Sequence, residues 1–368
     1  MRYRVELVDQ AGLPSDATAS TLRVRAGVKT AEWSGLSALI EGEAIARLGS
    51  DAYNDTLNGR VSRPVVADPT DVLLNQVWLR WKPIKQIELT GGRQTINLDN
   101  QRWVGSVNWR QNDQTFDAAR ATLKPVKDLT IDYFYAWRVN RVFGSDSPQG
   151  IWRNTAIHSL RAAYPVRNLG TVSVYGLWVD VPASPAGSSQ TVGVRIAGER
   201  KAGGKLSVLY AAEYARQQEH GANLARFGLD YWLVEPGVKY GPVTVKGGYE
   251  SLAGNGVVAV QTPLATLHAF NGWADKFLTT PANGLRDIYF DASYKVPGKG
   301  PLVGTTLRVA WHDFASTRLG IAYGQEWDAL VSYPVGKHFV LTAKLARYDA
   351  SAFATDTTKA WFQLEAKF

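Results

Sequence analysis

The stretch "LTIDYFYAWRVN", residues 129–140, places Leu129, Ile131, Tyr133, Tyr135, Trp137 and Val139 at alternate positions, with Thr130, Asp132, Arg138 and Asn140 between them. An extended chain sends successive side chains to opposite faces, so this segment reads as a strand with one apolar wall and one polar wall. The period recurs in "TLRVRAGVK" (21–29), where Leu22, Val24, Ala26 and Val28 oppose Arg23, Arg25 and Lys29. It recurs again in "DIYFDASYKV" (287–296), where Ile288, Phe290, Ala292, Tyr294 and Val296 oppose Asp287, Asp291, Ser293 and Lys295.

Read outward from these segments, the alternation divides the chain into 18 strands. They begin near Arg2, Thr21, Leu36, Val72, Ile87, Phe116, Leu129, Thr155, Thr171, Thr191, Lys205, Phe227, Val243, Leu285, Thr305, Gln325, Phe339 and Thr358. The connections sort by length. After even-numbered strands they are short, as in "PIKQ", "AGG" and "VGKH"; after odd-numbered strands they are mostly longer, including 50–71, 97–115, 143–154 and 255–284. Short turns at one end and long loops at the other, on an even number of antiparallel strands, predict an all-β transmembrane barrel occupying residues 1–368 as one domain. Strands of about 9 to 11 residues suffice to cross a bilayer core. Trp33, Trp81, Trp137, Tyr164, Tyr240 and Tyr333, near strand ends, would form the interfacial aromatic girdles.

Composition agrees with this reading and excludes several others. The 368 residues include 34 Gly, 13 Trp, 16 Tyr and 12 Phe, which favour strands and tight turns. Cysteine is absent, so there is no disulfide framework, thiolate metal site or cysteine nucleophile. The net charge of +8 comes without a dense Lys/Arg block, which argues against a nucleic-acid partner. Neighbouring His312 and Asp313 point to opposite faces of a strand, as do His158 and Ser159, so neither pair makes a catalytic dyad. No spacing suggests a metal or another cofactor, and the expectation is a channel rather than an enzyme.

If the apolar face meets lipid, the polar face lines a lumen. Arg23, Arg25, Arg80, Arg120, Arg138, Arg161, Arg195, Lys246, Arg308 and Lys344 then project inward and predict an anion-favouring field. The planar fork of arginine suits carboxylates, and a ladder of arginines on adjacent strands could hand a chain of acidic sugars from one to the next. Each exposed contact should contribute only about 0–1 kcal/mol, weak enough for release. The competing structural reading is cross-strand pairing of these arginines with wall carboxylates.

Several segments resemble the alginate-export family of outer-membrane porins: "STLRVRAGVKTAEWSGLSALIEGE" (20–43), "NQVWLRW" (75–81), "GGRQTINLDNQRWVGSVNWRQNDQTFDAARAT" (91–122), "TPLATLHAFNGWADKFLTTPANGL" (262–285) and "GQEWDALVSYPV" (324–335). The resemblance implies an 18-stranded barrel in the outer membrane of Gram-negative bacteria, passing an acidic polysaccharide such as alginate. It adds Arg93, Arg102, Arg110, Glu326 and Asp328 as candidate solute-binding residues, and a third long loop that folds inward to narrow the lumen. The link "VGKH" is too short to plug the pore as the longer turn of the pseudomonad exporter does. Alternatives are a general or small-carboxylate uptake porin and, further off, a soluble β-rich carbohydrate-binding protein or lyase. The expected partners are an acidic polysaccharide or small anionic solute, outer-membrane lipid, and the barrel-assembly machinery acting through the C-terminal strand. The barrel is expected to work as a monomer, and export would remove a signal peptide ahead of Met1. In "KAWFQLEAKF" (359–368), Phe362 and Leu364 would face lipid while Lys359, Trp361 and Gln363 face the lumen of the closing strand.

Overall fold

A computed structural model describes residues 1–368. The strands are β1 (Arg2–Gln10), β2 (Ala17–Lys29), β3 (Leu36–Ala52), β4 (Asp71–Ile84), β5 (Ile87–Gln94), β6 (Thr115–Leu123), β7 (Thr130–Asn140), β8 (Ile151–Val166) and β9 (Gly170–Asp180). They continue with β10 (Ser189–Gly203), β11 (Leu206–Glu219), β12 (Gly228–Tyr240), β13 (Val243–Leu252), β14 (Leu285–Lys295), β15 (Thr306–Ala315), β16 (Ala322–Val335), β17 (Phe339–Ala350) and β18 (Thr357–Ala366). Each pairs antiparallel with its sequence neighbours, and β1 pairs with β18 from Arg2 opposite Glu365 to Gln10 opposite Thr357. The sheet is therefore a closed barrel with no unpaired edge.

The strands form where the alternation places them, because one face can be buried from water only if every second residue is apolar. That face points outward: Ile40, Leu79, Val234, Phe290, Trp327 and Phe362 are all exposed on the outer wall. Large apolar side chains spread over a whole exterior mark a surface that meets lipid. The apolar side chains buried in the structure lie inside instead. They cluster around Ile96, Trp103, Val104, Leu264, Trp273 and Phe277, all from two loops, packed on inward residues such as Phe116, Tyr231, Phe314 and Trp361. Burial of each such side chain contributes about 1.5–3 kcal/mol to holding these loops in place.

Those loops are residues 95–114, between β5 and β6, and residues 253–284, between β13 and β14. Both belong to the long-loop end and both fold into the lumen. The infolding of 95–114 is the expected one; that of 253–284 is not anticipated by the alternation.

Two expected lumen residues face outward instead. The β6–β7 and β7–β8 ladders slip at Trp137, so that Ala136 and Val139 both point inward and Arg138 falls on the outer wall. A bulge of this kind inserts one residue and reverses the facing of everything beyond it. Arg93 also faces outward, since Thr90 and Gln94 on the same strand take the buried positions and Arg93 pairs with exposed Val77.

Candidate functional site

The inner ends of β1 and β2 hold the loop 95–114 by its main chain. Arg2 donates to the carbonyls of Asn108 at 3.0 Å and Arg110 at 3.1 Å, and Arg23 donates to that of Gln111 at 3.3 Å. Arg4 donates to the Trp109 carbonyl and stacks its guanidinium 4.0 Å from the Trp109 ring. Arg25 reaches Asp113 at 3.0 Å and pairs with Glu43. These arginines therefore serve as loop anchors, each occupied by a carbonyl or carboxylate of the chain itself.

The opposite wall holds the same loop through two acids and one arginine. Trp103 donates to Glu213 at 2.7 Å, Arg102 meets Glu250 at 2.9 Å, and Asp99 takes Arg161 from β8 at 2.7 Å. Burial works against the charge of Arg102, but Glu250 beside it keeps the guanidinium firmly ionised. Arg120 with Asp132 at 2.7 Å, Arg195 with Glu213 at 2.8 Å, Lys246 with Glu235 at 3.0 Å, Arg80 with Glu88 at 3.2 Å, and Arg308 with Asp291 are wall pairs of the kind the competing reading describes. No free arginine ladder runs the length of the lumen.

The loop 253–284 is docked by its backbone. The amides of Trp273 and Ala274 donate to Asp328 at 3.3 Å and Glu326 at 2.6 Å. Asn271 donates to Glu250 at 2.6 Å and to Asp287 at 3.1 Å. Between them Gly272 has φ +82° and lies so close to the Glu326 carboxyl that a Cβ there would collide with it. Glu326 and Asp328 are thus brought together under this loop, whereas Arg102 and Arg110 reach it from 95–114.

Where the two loops meet, a buried charge cluster forms that the alternation does not reveal. Asp275 lies 2.8 Å from Arg110, 3.1 Å from Lys359 and 2.7 Å from Nδ1 of His268. Burial opposes ionisation of Asp275, yet His268, Lys359 and Arg110 around it hold its carboxyl well below the usual range. Burial pushes His268 the other way, down to about 3, so the imidazole is neutral, donating from Nδ1 to Asp275 and accepting at Nε2 from Lys344 at 2.8 Å. Lys344 itself sits over the rings of Trp109 at 3.9 Å and Trp273 at 3.8 Å. The only sequence sign of this cluster is a loop carrying Leu264, Trp273 and Phe277, side chains that a solvated connection would not keep.

Two chambers flank the junction. The one on the long-loop side, about 420 Å³, is lined by Arg63, Arg110, Arg141, Lys276 and Lys359 against the single carboxylate of Asp275. The one on the short-turn side, about 530 Å³, is lined by Arg195, Lys246 and Arg308 against Glu235, Glu250, Asp287 and Asp291. They share no lining residue: Leu267 and His268 border the first, and Ala269 to Trp273 border the second. The segment 267–273 thus lies between the two chambers as a partition within the lumen.

The family described as Alginate export matches residues 15–223. No curated protein matches the chain. Among solved structures, Pseudomonas aeruginosa OccK9 (OpdG) aligns with TM-score 0.78 at 15% identity, covering 99% of this chain and 95% of that one. Acinetobacter baumannii OccAB2 aligns with TM-score 0.76 at 16% identity, covering 100% and 97%. Pseudomonas aeruginosa OpdK with vanillate aligns with TM-score 0.76 at 12% identity, covering 99% and 95%. At such identities the structural likeness concerns the barrel fold.

Proposed function

The chain belongs to the alginate-export family and is an outer-membrane channel of Gram-negative bacteria, and from that premise we propose that it passes small carboxylate-bearing solutes, one at a time. The long-loop end is then extracellular and the short-turn end periplasmic. The observation that carries the reading is the outer chamber, where five cations and one carboxylate surround about 420 Å³. A low-dielectric wall focuses that field, so anions concentrate at the mouth before they meet the partition. The chamber falls within the roughly 300–1,000 Å³ of ordinary small-ligand sites. It suits one sugar acid or aromatic acid better than a polymer strand. Passage is passive, through a single monomeric barrel, and involves no bond chemistry.

Beyond the partition, four carboxylates outnumber three cations. An anion that has crossed into the inner chamber is therefore held less tightly there than in the outer one, which favours its release from that side. The relative solved with vanillate carries an aromatic carboxylate, which is consistent with this solute class.

A second reading, passage of an acidic polysaccharide, is favoured by the family's description. It is eased if the segment 267–273 leaves the lumen, since that segment lies between the two chambers while docked.

Planar-bilayer recording tests both. Reversal potentials should show anion preference, and monomeric uronate or a small aromatic carboxylate should block the current while long uronate oligomers fail to enter. Cation preference would sink the carboxylate reading. Entry and passage of long oligomers would transfer the proposal to the polymer.

A further inference from the structure

The two bulged strands β7 and β8 turn a pair of arginines onto the outer wall. Arg138 and Arg153 are direct cross-strand partners, beyond the point where the ladder slips at Trp137. The Arg153 side chain is exposed and makes no hydrogen bond or ion pair within the fold. Arg138 reaches one carboxylate, Asp117, at 3.4 Å, and that aspartate already takes Arg93 at 2.7 Å and 3.1 Å. Two arginines thus share one aspartate, and the third has no acid at all.

Elsewhere on the extracellular outer wall, arginines have partners one to one. Arg216 pairs with Asp230 at 3.0 Å, Arg286 with Asp313 at 2.8 Å and Arg347 with Asp349 at 3.0 Å. The patch on β5 to β8 is the exception, with two uncompensated positive charges. Like charges placed directly opposite on neighbouring strands are unfavourable unless something neutralises them.

We propose that the outer wall at Arg138 and Arg153 binds the phosphate group of a lipid in the outer leaflet. The position fits. Exposed Trp137 and Tyr133 lie just below on the same strand, and exposed Leu160 lies on β8, so an acyl chain would run along apolar wall while its headgroup met the arginines. Arginine makes paired, charge-assisted hydrogen bonds to phosphate, and two forks on adjacent strands can grip one group together. The apolar surface beneath commits the site to a lipid rather than to free phosphate. The two arginines lie on the outer wall, away from the conducting lumen.

The test is native mass spectrometry of the full barrel released from a non-ionic detergent, with bis-phosphorylated lipid A, the same lipid dephosphorylated, and inorganic phosphate as probes. The phosphorylated lipid should remain bound, and Arg153→Gln should lower its occupancy at least about tenfold, equivalent to one charge-assisted contact. Arg153 has no partner in the fold, so this variant leaves the barrel intact; Arg216→Gln, which removes a neutralised arginine, should leave lipid binding unchanged. Equal retention of the dephosphorylated lipid, or full binding by Arg153→Gln, would overturn the proposal. Displacement of the lipid by inorganic phosphate at equal concentration would show a free-anion site instead and overturn it as well.

Discussion

Lys344 on the barrel wall donates a 2.8 Å hydrogen bond to Nε2 of His268 on the partition, so one strand residue ties the wall directly to the loop that occupies the lumen. The same ammonium lies over Trp109 from one inner loop and Trp273 from the other. A desolvated cation–π contact contributes about 2 kcal/mol. Lys344→Met should therefore shift the balance between docked and undocked loop by a factor of roughly 5–30. Single-channel records of the variant should show a larger-conductance substate that the parent visits rarely. Records identical to the parent would mean that the partition is held by the Glu326 and Asp328 contacts alone.

Lys276 gives the outer chamber a charge that titrates within an accessible range. Burial lowers its ammonium to about 8, with Lys359 adding repulsion. The group is charged below that pH and neutral above it, so anion preference should be highest below about pH 8 and fall as the pH rises through it. Reversal potentials measured on either side should show the change. Lys276→Gln should abolish it and leave the preference permanently at the lower, high-pH value.

The barrel was legible in the sequence because closure against lipid imposes a period that every strand must obey. Strand starts at Leu36, Ile87, Val243, Leu285 and Phe339 fall where the alternation puts them. At β2, β8 and β16 the strands begin at Ala17, Ile151 and Ala322, earlier than the apolar pattern indicates, because their extracellular ends rise beyond the lipid and need no apolar face. The facing of Arg138 was not legible, since a one-residue slip leaves no mark in composition. The charge cluster was hidden for a different reason. Asp275 and His268 meet Lys344 and Lys359 through a loop whose path depends on tertiary packing, and no local periodicity encodes that meeting.

The facing of the two arginines Arg110 and Arg138 yields opposite expectations for substitutions of the same type. Arg110 borders the outer chamber and contacts Asp275, so Arg110→Gln removes one of five chamber cations and should reduce anion preference measurably. Arg138 is on the outer wall, so Arg138→Gln should leave the reversal potential unchanged. A fall in anion preference on replacing Arg138 would place its side chain in the lumen and contradict the bulge at Trp137.

Acid should loosen the partition through His268. Burial, reinforced by Lys344, keeps the docked imidazole neutral down to about 3, against an ordinary value of 6.5, while Asp275 pulls the other way without prevailing. A histidine whose docked value is depressed takes up its proton preferentially when undocked. Docking is therefore fully favoured above pH 6.5 and weakens progressively as the pH falls from there toward about 3. Protonation at Nε2 also removes the acceptor that Lys344 uses and sets two cations against each other. Conductance and substate frequency should rise across that window. Wall carboxylates titrate in acid too, so the control is His268→Gln, whose amide can still accept from Lys344 and donate to Asp275 but has no proton to gain near neutrality. If the variant keeps the same acid response, the carboxylates beneath the loop are responsible and His268 is only a spacer; if the response disappears, the imidazole is the group that senses pH.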